Sequence, residues 1–130
     1  MDLSVTSTTL SGSTTNVFRT THGFDSALSV TIDASNLVAG DMVDGAFPGV
    51  LPAGFPLGVV TADGTYAMYD DGNADGTETL VGLLREDVDV ASATAIVHGA
   101  MLIHAIVIEA NLPVAIDANG KTDNASVQYV

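Results

Sequence analysis

Apolar and polar positions alternate along Ala27-Leu28-Ser29-Val30-Thr31-Ile32, the pattern of a half-buried strand. Asp33-Ala34-Ser35-Asn36 then reads as a turn. Residues 45–58, "GAFPGVLPAGFPLG", carry Pro48, Pro52 and Pro56 and predict an ordered, extended loop with no central strand or helix. Val59-Val60-Thr61 predicts a short strand, Ala62-Asp63-Gly64 a turn, and Thr65 to Tyr69 a further strand. Leu80 to Leu84 predicts its hairpin partner across an acidic turn. Ile96 to Ile108 is apolar on both faces and predicts one or two buried strands bending at Gly99 or Ala105, stopped by Asn111-Leu112-Pro113. "VAIDANGKTDNA" leaves room for one helical turn broken at Asn119-Gly120, and Ser126 to Val130 alternates again as a closing strand. Six to eight short strands with frequent turns and almost no helix predict a small, compact, mainly β fold.

The first 22 residues differ. Eleven of them are Ser or Thr, and Asp2 cancels Arg19. The stretch has β-branched character but too few apolar residues for a core, so residues 1–26 read as a flexible N-terminal arm and residues 27–130 as a β-rich domain. Such an arm adds as a strand to another sheet, or it is an ordinary frayed terminus. Met1-Asp2-Leu3-Ser4-Val5 lacks the basic and apolar regions of a signal peptide.

Charge narrows the partners. Sixteen acids face three bases, for a net −13, and the first 22 residues carry none of it. Phosphate backbones and anionic lipid surfaces repel such a chain, so neither nucleic acid nor membrane is an expected partner. The apolar stretch 95–110 is too short and polar to span a bilayer. With 130 residues, 47% of them hydrophobic, the chain suffices for one domain with a modest core. It has no Cys, which removes disulfides, thiolate metal sites and a Cys nucleophile.

Candidate chemistry is sparse. Asp71-x-Asn73-x-Asp75-Gly76 copies the first half of an EF-hand loop, but position 12 is Gly82, which has no carboxylate. With β-forming flanks, the stretch reads as a hairpin turn. Glu86, Asp87 and Asp89 read as a solvated strand end. His98 and His104, six residues apart, lie ~20 Å apart on a continuous strand, too far to share a metal. Asp70 and Asp71 point to opposite faces and cannot work as a paired acid and base. No Gly-x-Ser-x-Gly, His-x-His or Gly-rich phosphate loop is present. No catalytic residue, metal or cofactor is expected, which favours a structural or interaction protein over an enzyme.

The segments "VLPAGFPLGVV" and "YAMYDDGNADGTETLVGLL" resemble the head decoration protein family of lambda-like tailed phages. The likeness runs through Pro52-Ala53-Gly54, Leu57-Gly58, Tyr69-Asp70, the turn Asp71 to Thr77 and Val81-Gly82-Leu83-Leu84. Leu112-Pro113 and the terminal Ala125 to Val130 continue it. The resemblance implies a β-clip-like fold without enzymatic activity. It also implies a homotrimer bound to the major capsid protein at three-fold and quasi-three-fold points on the outer surface of the expanded head, which it stabilises. The arm contacts expected on this reading are Leu3, Val5, Thr6, Thr8, Leu10, Val17 and Phe18. Phe47, Val50, Leu51, Pro52 and Phe55 are candidate trimer or shell contacts. Three alternatives stay open: a virion surface or tail module that binds a host ligand, a calcium-dependent module built on Asp71, Asn73 and Asp75, and an enzyme on a similar scaffold.

Overall fold

A computed structural model describes residues 16–130. The described residues are mainly β with one short α-helix, in agreement with the sequence pattern. Five strands close into a small barrel in the order β1 (Leu28–Asp33), β4 (Tyr66–Met68), β3 (Pro56–Val59), β5 (Gly82–Leu84) and β7 (Ile96–Leu102). Two strand pairs stand beside it: β2 (Gly49–Leu51) with β6 (Val88–Val90), antiparallel, and β8 (Ala105–Val107) with β9 (Val127–Tyr129), parallel. The helix α1 spans Ala118–Asp123.

β1 and β7 form the longest ladder, running from Leu28 opposite Met101 to Asp33 opposite Ile96. The alternation in β1 turns Val30 and Ile32 inward. Gly99 lies opposite Val30. A Cβ there would meet Leu84 Cδ1 at 3.0 Å and Val88 Cγ2 at 3.2 Å, so the missing side chain makes room for the barrel filling.

Two apolar cores share the same strands. The barrel core gathers Val30, Ile32, Leu51, Phe55, Leu57, Leu84, Val90 and Met101. The second core gathers Val17, Tyr69, Leu80, Leu83, Leu102, Val107, Ile116 and Val127. Because strand side chains alternate, Leu83 and Leu84 serve different cores, as do Met101 and Leu102. That double duty explains why Leu80–Leu84 and the stretch from Ile96 are apolar on both faces. The long run breaks at Ile103-His104, between β7 and β8.

Three local expectations are corrected. β4 and β5 are not hairpin partners, because both pair with β3, one on each side. The connection between them crosses over β3, and glycine permits the crossing: a Cβ on Gly58 would lie 2.7 Å from Thr77 Cα. The Pro-rich segment is not strand-free, since it supplies β2 and the central β3. Pro56 is tolerated as the first residue of its strand, where its missing N–H breaks no ladder bond. Finally, Asn119-Gly120 does not break the helix but lies inside it. The Asp117 side chain caps it by accepting from Gly120 N–H at 2.8 Å. Gly120 suits the position because a Cβ would reach Ile116 Cγ2 at 2.8 Å and the Tyr69 ring at 3.0 Å.

Side chains from α1 and the residue after it fasten the barrel to the second core. Asp123 accepts from Leu80 N–H at 3.0 Å, and Asn124 Nδ2 donates to the carbonyls of Val81 and Ile103. Among the described residues no helix is long and apolar enough to cross a membrane.

Candidate functional site

The described residues begin at Asn16, and the first of them lie against β8. Phe18 sits opposite Val107 in an antiparallel bridge. Ile108 N–H donates to the Val17 carbonyl at 2.7 Å, and Arg19 N–H donates to the Ile106 carbonyl at 2.9 Å. Asn111 Nδ2 adds a bond to the Asn16 carbonyl at 2.8 Å. The segment thus lies alongside β8 as a short third strand beside β8 and β9.

Side chains hold it as firmly as the backbone does. Val17 is only 3% exposed. It fits where Gly54, at φ 83, has no Cβ; one there would come within 2.6 Å of Val17 Cγ1. The Phe18 and Phe24 rings meet edge to face at 5.3 Å. Val17 and Phe18, expected as capsid-binding arm residues, are therefore fastened to the body of their own chain. Burial in the second core is a stronger demand on an apolar pair than freedom in a Ser/Thr-rich tail. Leu3, Val5, Thr6, Thr8 and Leu10 lie outside the described residues.

Among the described residues the outer edge of this root strand has no backbone partner. Neighbouring residues in an antiparallel strand direct their backbone groups to opposite sides. With Val17 and Arg19 bonded to β8, the N–H and carbonyl of Phe18 face away from it, and no described residue bonds them. Arg19 is exposed on the same segment. The other two cations are spoken for, Arg85 by Glu86 and Lys121 by Glu109, whereas Arg19 pairs with no described carboxylate.

The candidate contacts of the Pro-rich segment turn out differently. Leu51 and Phe55 are fully buried and Val50 and Pro52 are buried, all within the chain itself. Phe47 is half-buried against the barrel core. Leu51 and Phe55 belong to that core, and all four buried residues keep little exposed surface within the single chain. The large apolar side chains that are exposed stand elsewhere: Leu28, Val38, Val43, Ile96 and Val130.

In the acidic turn, the carboxylates accept hydrogen bonds from within the chain. Asp70 accepts from Gly72 N–H at 2.9 Å. Asp75 accepts from the N–H and hydroxyl of Thr77, and these bonds, the hydroxyl's first, hold its carboxyl below the usual carboxylate range. Asp71 accepts from Asn119 Nδ2 at 2.7 Å, and Glu78 from Gly76 N–H at 2.7 Å. The bonds of Asp70, Asp75 and Glu78 form the turn that crosses β3, and the Asp71 bond ties it to α1. Further on, Asp87 accepts from Ala53 N–H at 2.8 Å, and Asp89 stands opposite Val50 in the ladder between β2 and β6. Among the described residues no three His, Cys, Asp or Glu side chains come together as metal ligands would.

The histidines are paired in a way their spacing does not suggest. His98 contacts the Thr31 hydroxyl at 3.2 Å across the β1–β7 ladder. His104 meets His22 instead, with ring centroids 5.1 Å apart.

No curated protein matches the chain. The family described as bacteriophage lambda head decoration protein D matches residues 29–129, from the second residue of β1 to the last of β9. The match takes in all of the barrel but Leu28, both flanking strand pairs and α1, and leaves the root strand outside it. With most of its length matched in this way, the chain belongs to the phage head decoration protein family.

Proposed function

We propose that this protein is a cement for a phage head. It binds as a homotrimer at three-fold and quasi-three-fold sites on the outer surface of the expanded shell, contacts the major capsid protein and stabilises the shell without catalysing a reaction. Family membership over residues 29–129 is the observation that carries this reading.

The physics of the chain supports it. Residues 1–15 hold one charged side chain and many β-formers. Ordering such a segment costs about 1–2 kcal/mol of backbone entropy per residue. A sheet edge on the shell offsets that cost with ladder bonds and side-chain burial, and Leu3, Val5, Thr6, Thr8 and Leu10 are the contacts proposed. The edge at Phe18 and the Arg19 side chain, neither of which has a partner among the described residues, mark where this strand addition begins. Three arms on one trimer act together, so a weak single contact becomes tight. Ligands that bind only the assembled shell stabilise it by mass action. The acidic body faces outward, and the exposed Leu28, Val38, Val43 and Ile96 supply apolar area for contact between copies.

The structure relocates the cut for the decisive experiment. Removing residues 2–22 would strip Val17 from the core, so the truncation to use is 2–15. The shortened protein should match the full chain in thermal stability and in three-chain mass by light scattering, but fail to co-sediment with expanded heads. Undiminished co-sedimentation would remove the arm from the account, and a monomeric full-length chain would remove the trimer.

A further inference from the structure

The root segment is joined to the body at a second place, by two imidazoles. His22 precedes the turn Phe24–Ser26, and its backbone N–H donates to Thr20 Oγ1 at 3.1 Å. His104 stands in the turn between β7 and β8. The ring centroids are 5.1 Å apart and the ring planes are inclined by 57°. Gly23 makes the approach possible. It has φ 83, and a Cβ on it would lie 2.0 Å from the His104 carbonyl oxygen and 2.8 Å from Nδ1. The chain therefore covers the Nδ1 edge of His104, and Nε2 is the nitrogen left for a ligand.

We propose that His22 and His104 form a two-imidazole site for a divalent transition-metal ion, Zn²⁺ as the probe, which clasps the arm root to the β7–β8 turn. The spacing fits. A zinc–nitrogen bond of ~2.0–2.1 Å places each ring centroid ~3.2 Å from the ion. Two centroids 5.1 Å apart then subtend about 106° at the metal, close to the tetrahedral angle. Each side chain turns about its own torsions to bring a nitrogen to that point, and water completes the coordination. Imidazole donors select zinc, copper or nickel over calcium or magnesium, which take oxygen ligands. The net charge of −13 raises the cation concentration at the surface.

The test is calorimetric titration of the full-length protein with zinc chloride at neutral pH, in excess magnesium to occupy carboxylates. Wild type should bind one zinc per chain and unfold at a higher temperature with zinc than with chelator. His22→Ala and His104→Ala should each weaken binding by at least about ten-fold, since even a change outside the ligand set costs that much. His98→Ala should bind as wild type does. His22 is exposed, so its variant is expected to keep the wild-type unfolding temperature in chelator, and it decides the matter alone if His104→Ala fails to fold. Equal zinc affinity in wild type and His22→Ala, or no binding by wild type, overturns the site.

Discussion

Single residues show how tightly this small chain is filled. Phe55 has no exposed surface and lies in the barrel core, so its part in the molecule is structural. Phe55→Ala should cost the isolated protein about 3–5 kcal/mol in urea unfolding, the range for a buried phenylalanine. A loss under 1 kcal/mol, with an association defect instead, would return Phe55 to the surface. Glycines offer a paired test. Gly76 has φ 107 and a Cβ on it would sit 2.2 Å from the Val59 carbonyl oxygen, whereas Gly64 has φ 74 and open space around it. Gly64→Ala should cost about 1 kcal/mol of backbone strain, and Gly76→Ala clearly more, at least ~2 kcal/mol, because strain and collision add. Equal losses would mean that the crossing over β3 is looser than its geometry.

At the scale of elements, α1 depends on one carboxylate. Asp117 caps Gly120 N–H and accepts from the buried Tyr69 hydroxyl at 2.8 Å. The Gly120 bond first, and the Tyr69 bond second, hold the Asp117 carboxyl below the usual carboxylate range. The same contact, with burial as the larger cause, pushes the Tyr69 hydroxyl up. A carboxyl lowered by folding contributes stability that is fully present above its unfolded pKa and is lost as pH falls through the folded one. Asp117→Asn should therefore be less stable than wild type at neutral pH. The gap should close as pH drops below the ordinary carboxylate range, as followed by thermal melts against pH. A gap that persists unchanged into acid would show that the ionised form adds nothing.

For the molecule as a whole, charge opposes self-association. Each chain carries −13, and at about 0.1 M salt exposed charges feel each other across ~10 Å. If apolar faces hold the proposed trimer together, raising sodium chloride should tighten it by screening the repulsion. Sedimentation at low protein concentration, from about 0.02 to 0.5 M salt, reads this directly. Dissociation with rising salt would point to ion pairs as the contact.

The mainly β class, the strand β1, the turn between β3 and β4 and the closing strand β9 were legible in sequence, because alternation and turn residues are local properties. The motifs around Leu57-Gly58 and Val81-Gly82 carried the family likeness for the same reason. Pairing was not legible, because which strand lies beside which is a matter of closure. Nothing in 65–84 says that β3 separates β4 from β5; Gly58 and Gly76 permit that only once the loop lies over them. The burial of the root was not legible for a similar reason. Val17-Phe18 is the first apolar pair after the Ser/Thr tract, a signal in hindsight. Yet its burial depends on Gly54 and β8, which lie far along the chain. The meeting of His22 with His104 likewise exists only because the folded chain brings residues 82 positions apart to one place. Local pattern determined what each segment could become, and long-range packing decided which surfaces remained free to meet a partner.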